Sequence, residues 1–134
     1  MKKKILIVIL LLIAIGGAIG IYQWNKPKRT ADDEKPAATL TAEDLFNQFA
    51  TNEAAANTSY LNKIIQVNGK VLTFEKSSTE FVIYLETSDV LGTVSCTLIP
   101  GTEITATEGS DVTIKGICTG YLTDVVLTQC VLVQ

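Results

Sequence analysis

Histidine is absent from the 134 residues. The chain therefore lacks the side chain used most often as a general base at neutral pH, and one of the two common zinc ligands. Cysteine is scarce as well. Cys96, Cys118 and Cys130 are the only three, and no two of them form a C-x-x-C pair. That spacing spells out neither a thiolate metal site nor a thioredoxin-type redox motif. There is no G-x-S-x-G elbow and no phosphate-binding P-loop. Glu80 and Glu86 border one predicted strand, but carboxylates on an exposed strand are ordinarily solvated surface. The expectation is a protein that is not an enzyme, with no catalytic residues, no metal and no cofactor.

Basic residues are scarce beyond position 30. Lys35, Lys63, Lys70, Lys76 and Lys115 stand against all fourteen acids, a net charge of −9 that the whole-chain value of −3 conceals. The other six cations, Lys2, Lys3, Lys4, Lys26, Lys28 and Arg29, are gathered near the N-terminus. An acidic domain on a basic stem repels phosphate backbones and anionic lipid heads.

Between those cations lies the longest apolar stretch, Ile5 to Tyr22, 18 residues without a charge. As a helix it reaches roughly 27 Å, about the hydrocarbon thickness of a bilayer. Tyr22 and Trp24 follow it, where amphipathic rings favour the membrane interface. Three readings are open: a membrane anchor through residues 5–22, a cleaved secretory signal, and a buried soluble helix. Ala14-Ile15-Gly16 and Ala18-Ile19-Gly20 place small residues where signal cleavage requires them, but the run is longer than a typical signal core. The anchor reading is carried forward. Four positive groups precede the span, counting the terminal amine, and three follow it. This biases the N-terminus to the cytoplasm and the domain to the outside; cleavage and secretion is the alternative.

Three segments are expected: an anchor over 1–24, a Pro- and charge-containing linker over 25–40, and a domain over 41–134. Thr41 reads as an N-cap with Asp44 three residues on. Leu45, Phe46, Phe49, Glu53 and Ala56 then recur at helical spacing through about Asn57. After Tyr60 the period becomes two. Five strands are predicted, over 64–72, 79–86, 92–99, 111–121 and 125–133, with Gly69 as a bulge. One helix and five short strands predict a mainly β domain, a small closed barrel or sandwich.

Particular residues sharpen this. Asn52-Glu53-Ala54-Ala55-Ala56-Asn57, then Tyr60, then Gln66-Val67-Asn68-Gly69 form an opening pattern. Val112 to Leu122, then Asp124 to Leu127 and Cys130, form a closing hairpin. Over residues 41–134 the chain is similar to the bacterial family of tRNA-anticodon-like OB-fold proteins. The resemblance implies a five-stranded OB-fold barrel preceded by an N-terminal α-helix, displayed outside the cytoplasm. It brings no established activity and no catalytic residues. Lipid-anchored members carry a cysteine that this chain lacks after its apolar run, which favours a helical anchor.

Two questions about side chains follow. Cys118 and Cys130 flank the last hairpin. If its loop is centred on Asp124 they face each other and a disulfide forms, closing a short loop and contributing about 3 kcal/mol at most. A loop of other length leaves two buried thiols packing as small hydrophobes. A redox-active pair lacks any feature that would lower a thiol pKa. Cys96 alternates with Val94 and Leu98 and reads as core. The second question is the ligand. Single-stranded nucleic acid requires a basic groove and exposed aromatics. From Thr58 onward four lysines face eight acids, and Tyr60, Phe74, Phe81, Tyr84 and Tyr121 mostly alternate as core. Nucleic acid is thus an unfavoured partner. Fold analogy puts a binding face on the second and third barrel strands, near Tyr84, Thr93 and Ser95. The expected function is a non-enzymatic, membrane-anchored binding module outside the cytoplasm, for a protein, saccharide or small ligand. The alternatives are a nucleic-acid-binding domain and a structural subunit of an envelope assembly.

Overall fold

The computed structural model describes residues 1–25, 31–32 and 34–133. Lys26, Lys28 and Arg29, on which the orientation reading drew, lie outside the described residues. The first element is α1 (Lys2–Trp24), apolar on every face with no residue buried. Among the described residues it is the one helix long and apolar enough to cross a membrane.

A short strand β1 (Ala38–Thr41) follows, then α2 (Ala42–Thr51) and α3 (Glu53–Tyr60). The single helix expected to run to about Asn57 is two helices. Asn52 leaves helical geometry and its side chain caps α3 by accepting from the Ala55 N–H at 3.1 Å. Thr41 caps α2 as expected, its hydroxyl accepting from the Asp44 N–H at 3.1 Å.

The barrel is β2 (Ile64–Lys76), β3 (Phe81–Leu85), β4 (Val94–Leu98), β5 (Asp111–Tyr121) and β6 (Val125–Leu132). Its strands are joined in the order β2-β3-β4-β6-β5 and back to β2. All pairings within it are antiparallel except β4 with β6. Closure works because β2 serves two partners. Ile64 to Lys70 pair with β5; from Val71, opposite Leu85, the strand pairs with β3, with a register slip between Val71 and Thr73. The irregularity falls there, not at Gly69, which stays in register opposite Val112. Gly69 serves close packing instead: a Cβ on it would stand 3.0 Å from Cβ of Ala42. The strand β1 lies parallel on the other flank of β2, with Ala38 opposite Ile65 and Thr41 opposite Asn68.

Inward positions follow the two-residue period: Val94, Cys96 and Leu98 on β4, Ile83 and Leu85 on β3. Each such aliphatic side chain contributes roughly 1.5–3 kcal/mol on burial. One end is plugged by α2 and α3. Phe49 stacks on Tyr121 at 5.8 Å between centroids, and Phe46 meets the same ring edge-on at 5.9 Å. Tyr60 is buried with its hydroxyl donating to Gln48 Oε1 at 2.7 Å.

The expected Cys118–Cys130 bridge is not formed; all three cysteines are free and buried. The hairpin closes with Tyr121 opposite Val125, so its three-residue loop is centred on Thr123 rather than Asp124. A bulge then places Cys118 opposite Leu127. In β6 the alternation breaks at Gln129, which takes a positive φ of 52°. Cys130 is thereby turned inward over Gly116, beside Cys96. The hydrogen bond between these two thiols, with burial, raises the Cys96 pKa well above the ordinary thiol value. Burial also raises Cys118, against a lowering contact from the Gly120 backbone.

Candidate functional site

The outer face of β3 and β4 is built by the residues that alternate with the core. Tyr84 and Ser95 face each other across the two strands, so the sequence-based expectation for these two positions falls on one surface. Thr93 precedes β4 at the lower edge of the same face. It is tied to the β5–β6 loop: Asp124 Oδ1 accepts from the Thr93 N–H at 2.8 Å and from its hydroxyl at 2.9 Å. Val125 closes the junction by donating its N–H to the Thr93 carbonyl at 3.1 Å.

Two residues that sequence reasoning passed over complete the face. Glu75 lies on the part of β2 beyond Leu72, where the expected strand ended. Thr73 pairs with Tyr84, and Glu75 stands two residues further along the same face. The Tyr84 hydroxyl donates to Glu75 Oε2 at 2.7 Å. That bond, some desolvation and the negative charges of Glu75 and Asp124 raise the Tyr84 pKa above its ordinary value. The period gave no signal for Glu75: continued from the buried Val71 it would turn Glu75 inward, and it is the slip between Val71 and Thr73 that reverses the parity, packing Phe74 on the core and turning Thr73 and Glu75 outward. Asp124 was visible only as a turn residue, and its partner 31 positions away was not.

The face is thus one phenol ring, a row of hydroxyls and two carboxylates. A third carboxylate, Glu108, borders it by accepting from the Thr73 hydroxyl at 2.9 Å. Such a surface offers hydrogen-bond acceptors and one ring for stacking, and it repels polyanions. Among the described residues no group of three or more potential ligand side chains is placed to hold a metal ion. A cleft of about 420 Å³ lies elsewhere, where α2 begins over β2 and β5, lined by Glu43, Asn68, Glu86 and Asp111. A second of about 410 Å³ lies between α3 and the β5–β6 hairpin, beside Asn57 and Gly120.

No curated protein matches the chain. Among solved structures it is similar to one from Klebsiella pneumoniae subsp. pneumoniae described as a "putative nucleic acid-binding lipoprotein". The identity is 20%, the match covers 71% of this chain and 91% of that one, and the TM-score is 0.54. This likeness concerns the fold. A "putative aspartyl-tRNA synthetase" from Leishmania major Friedlin aligns at 11% identity over 88% of this chain and 25% of that chain, with a TM-score of 0.48. The tRNA_anti-like family model matches residues 1–132. With a closed OB barrel behind an apolar N-terminal helix, this chain belongs to the tRNA_anti-like family.

Proposed function

We propose that the protein is a non-enzymatic binding module, held at a membrane by α1 with its barrel outside the cytoplasm. The outer face of β3 and β4 is its binding surface. The observation that carries this reading is the pairing of Tyr84 with Glu75 beside Asp124, on a face whose named polar groups are hydroxyls and carboxylates. Stacking on the phenol and hydrogen bonding to carboxylates suit an uncharged or cationic ligand rich in donors. Saccharides and basic peptide segments have that chemistry. The location outside the cytoplasm is supported by the charge bias around the apolar run.

Nucleic acid binding is the second reading. Its support is the description of the Klebsiella protein and the general use of OB barrels for oligonucleotides. The carboxylates on the face oppose it. Calorimetric titration of the full-length protein in an uncharged detergent separates the two. An amino-sugar oligomer and a single-stranded oligonucleotide serve as probes, each at low and moderate salt. The expected result is binding of the amino-sugar oligomer, weakened in Tyr84→Ala and in Glu75→Gln. Oligonucleotide binding that weakens with salt and depends on Tyr84 would replace this reading with the second.

A further inference from the structure

The three strands of the candidate face divide it into lanes. On β3 the outward side chains are Val82 and Tyr84, both half-buried, because Ile83 and Leu85 fill the core. On β2 the side chains beside them are Glu75, opposite Val82, and Thr73, opposite Tyr84. On β4 they are Thr97, opposite Val82, and Ser95, opposite Tyr84. An isopropyl group and a phenol ring thus form an apolar lane along β3. A polar rail runs on each side of it, a carboxylate and a hydroxyl on β2 and two hydroxyls on β4. Neighbouring strands stand about 4.8 Å apart, and alternate residues follow one another at about 7 Å along a strand. The rails are therefore about 10 Å apart, and the lane is two side chains long. It ends with β3 itself, which runs only from Phe81 to Leu85. Beyond β4 the row of Tyr84 and Ser95 continues to Val126, which carries no polar group.

We propose that this layout is a two-ring sugar site, in which a β-linked amino-sugar disaccharide unit lies along β3. This rests on the reading of the face as the binding surface, and it selects the saccharide over the basic peptide. A pyranose is apolar on its faces and polar around its edge. Laid flat on the lane, one ring puts its C–H face on Tyr84 and the next on Val82, while the edge hydroxyls of both turn to the rails. The ring on Val82 meets Glu75, whose charge suits an amine; the ring on Tyr84 meets the Thr73 and Ser95 hydroxyls. The bond from the Tyr84 hydroxyl to Glu75 Oε2 ties the phenol to the β2 rail, so the platform is set before a ligand arrives. A peptide fits less well. Every residue of β3 is paired with both β2 and β4, so the lane has no open edge to which a peptide backbone could add. A peptide lying on it would leave its own N–H and C=O groups without a ladder.

The test is a length series. Glucosamine and its β-1,4-linked dimer, trimer and tetramer are titrated calorimetrically into full-length protein, held in a polyoxyethylene detergent whose head group is not a sugar. The expected result is a dimer that binds roughly tenfold tighter than the monomer, with no more than about a further twofold for trimer and tetramer. Tyr84→Ala should weaken binding at every length. Val82→Thr keeps the shape and the strand preference but puts a hydroxyl under the second ring, and the dimer should lose its advantage over the monomer. Thr97→Val, on the β4 rail beside Val82, repeats that measurement in case the first variant does not fold. A dimer no tighter than the monomer overturns the proposal and leaves a one-ring face. Gains that continue through the tetramer overturn it too, because the chain would run past the lane. So does an advantage of the dimer that survives in both Val82→Thr and Thr97→Val. In each of these cases, binding that is still weakened by Tyr84→Ala preserves the broader reading of the face. Tyr84-dependent binding of tetralysine, with none of the sugars, overturns the choice of saccharide. No binding of any probe, or binding unchanged in Tyr84→Ala, overturns the reading of the face and the proposal with it.

Discussion

The Phe46 ring lies against Gly92 so closely that a Cβ at that position would overlap it. One contact therefore couples the helical plug to the β3–β4 loop, and Gly92 contributes to it by having no side chain.

Gly92→Ala forces the ring aside within a packed end of the barrel. The expected loss is about 1–3 kcal/mol, the range for overpacking a core. Denaturant unfolding of the variant measures it. Phe46→Leu in the same chain makes room, so the double variant should lose less than the two single losses added together. Strict additivity would show that the two residues do not constrain each other.

Thiol chemistry checks the hairpin register. With Cys96, Cys118 and Cys130 all buried and unbridged, alkylation without reductant should label no site in the native protein and all three in denaturant, read by mass. Gly116→Ala places a methyl group where Cys130 Sγ now sits, and it should speed native labelling of Cys130. A single labelled site in denaturant would mean a bridge and a different register.

Asp124→Ala leaves the Thr93 N–H without its acceptor. The expected cost is about 1–3 kcal/mol, with Asp124→Asn close to wild type because an amide oxygen can still accept both bonds. Hydrogen exchange at the Thr93 amide should accelerate in Asp124→Ala alone. Equal exchange in both variants would show that the loops are joined by something else.

Glu43 gives a pH dependence. Its carboxylate accepts from the Ser88 N–H at 2.6 Å and from the Ser88 hydroxyl, and these bonds, with Asn47, lower its pKa from the ordinary 4.5. A pKa lowered in the folded state contributes stability that is complete above 4.5 and is lost as pH falls through the lower folded value. The gap in Tm between wild type and Glu43→Gln should therefore be present at neutral pH and close on acidification. A gap of constant size across that range would assign the effect to shape rather than charge.

Much of this architecture was legible because most of the barrel obeys a period of two. Val94, Cys96 and Leu98 could be placed inward from alternation alone, and Thr41 could be placed as a cap from its position before an acidic turn. The failures share a cause: local departures from the period that only long-range partners impose. The Val71–Thr73 slip exists because β2 must change partners there, and nothing in the residues before it says so. The bulge at Gln129 flips the parity of β6 and brings Cys130 next to Cys96 instead of Cys118; no glycine or proline marks it. Asn52 interrupts the helix with a residue that fits helical periodicity and caps equally well. At the candidate face, Tyr84 and Ser95 were brought together by fold analogy alone, and their pairing, like Glu75 and Asp124, required knowing the registers, where β2 ends and which loops meet.

The strand β1 has a mechanical consequence. It is the last stretch of tether before the domain, and it lies parallel to β2, the strand that serves both halves of the barrel. Under the proposed anchoring by α1, tension on the stem loads the Ala31–Gln129 clasp first and this ladder next. A pull along the strand shears its hydrogen bonds together, whereas a pull across it peels them one by one. The direction of any pull on the stem thus sets how much force the junction bears before the barrel itself is strained.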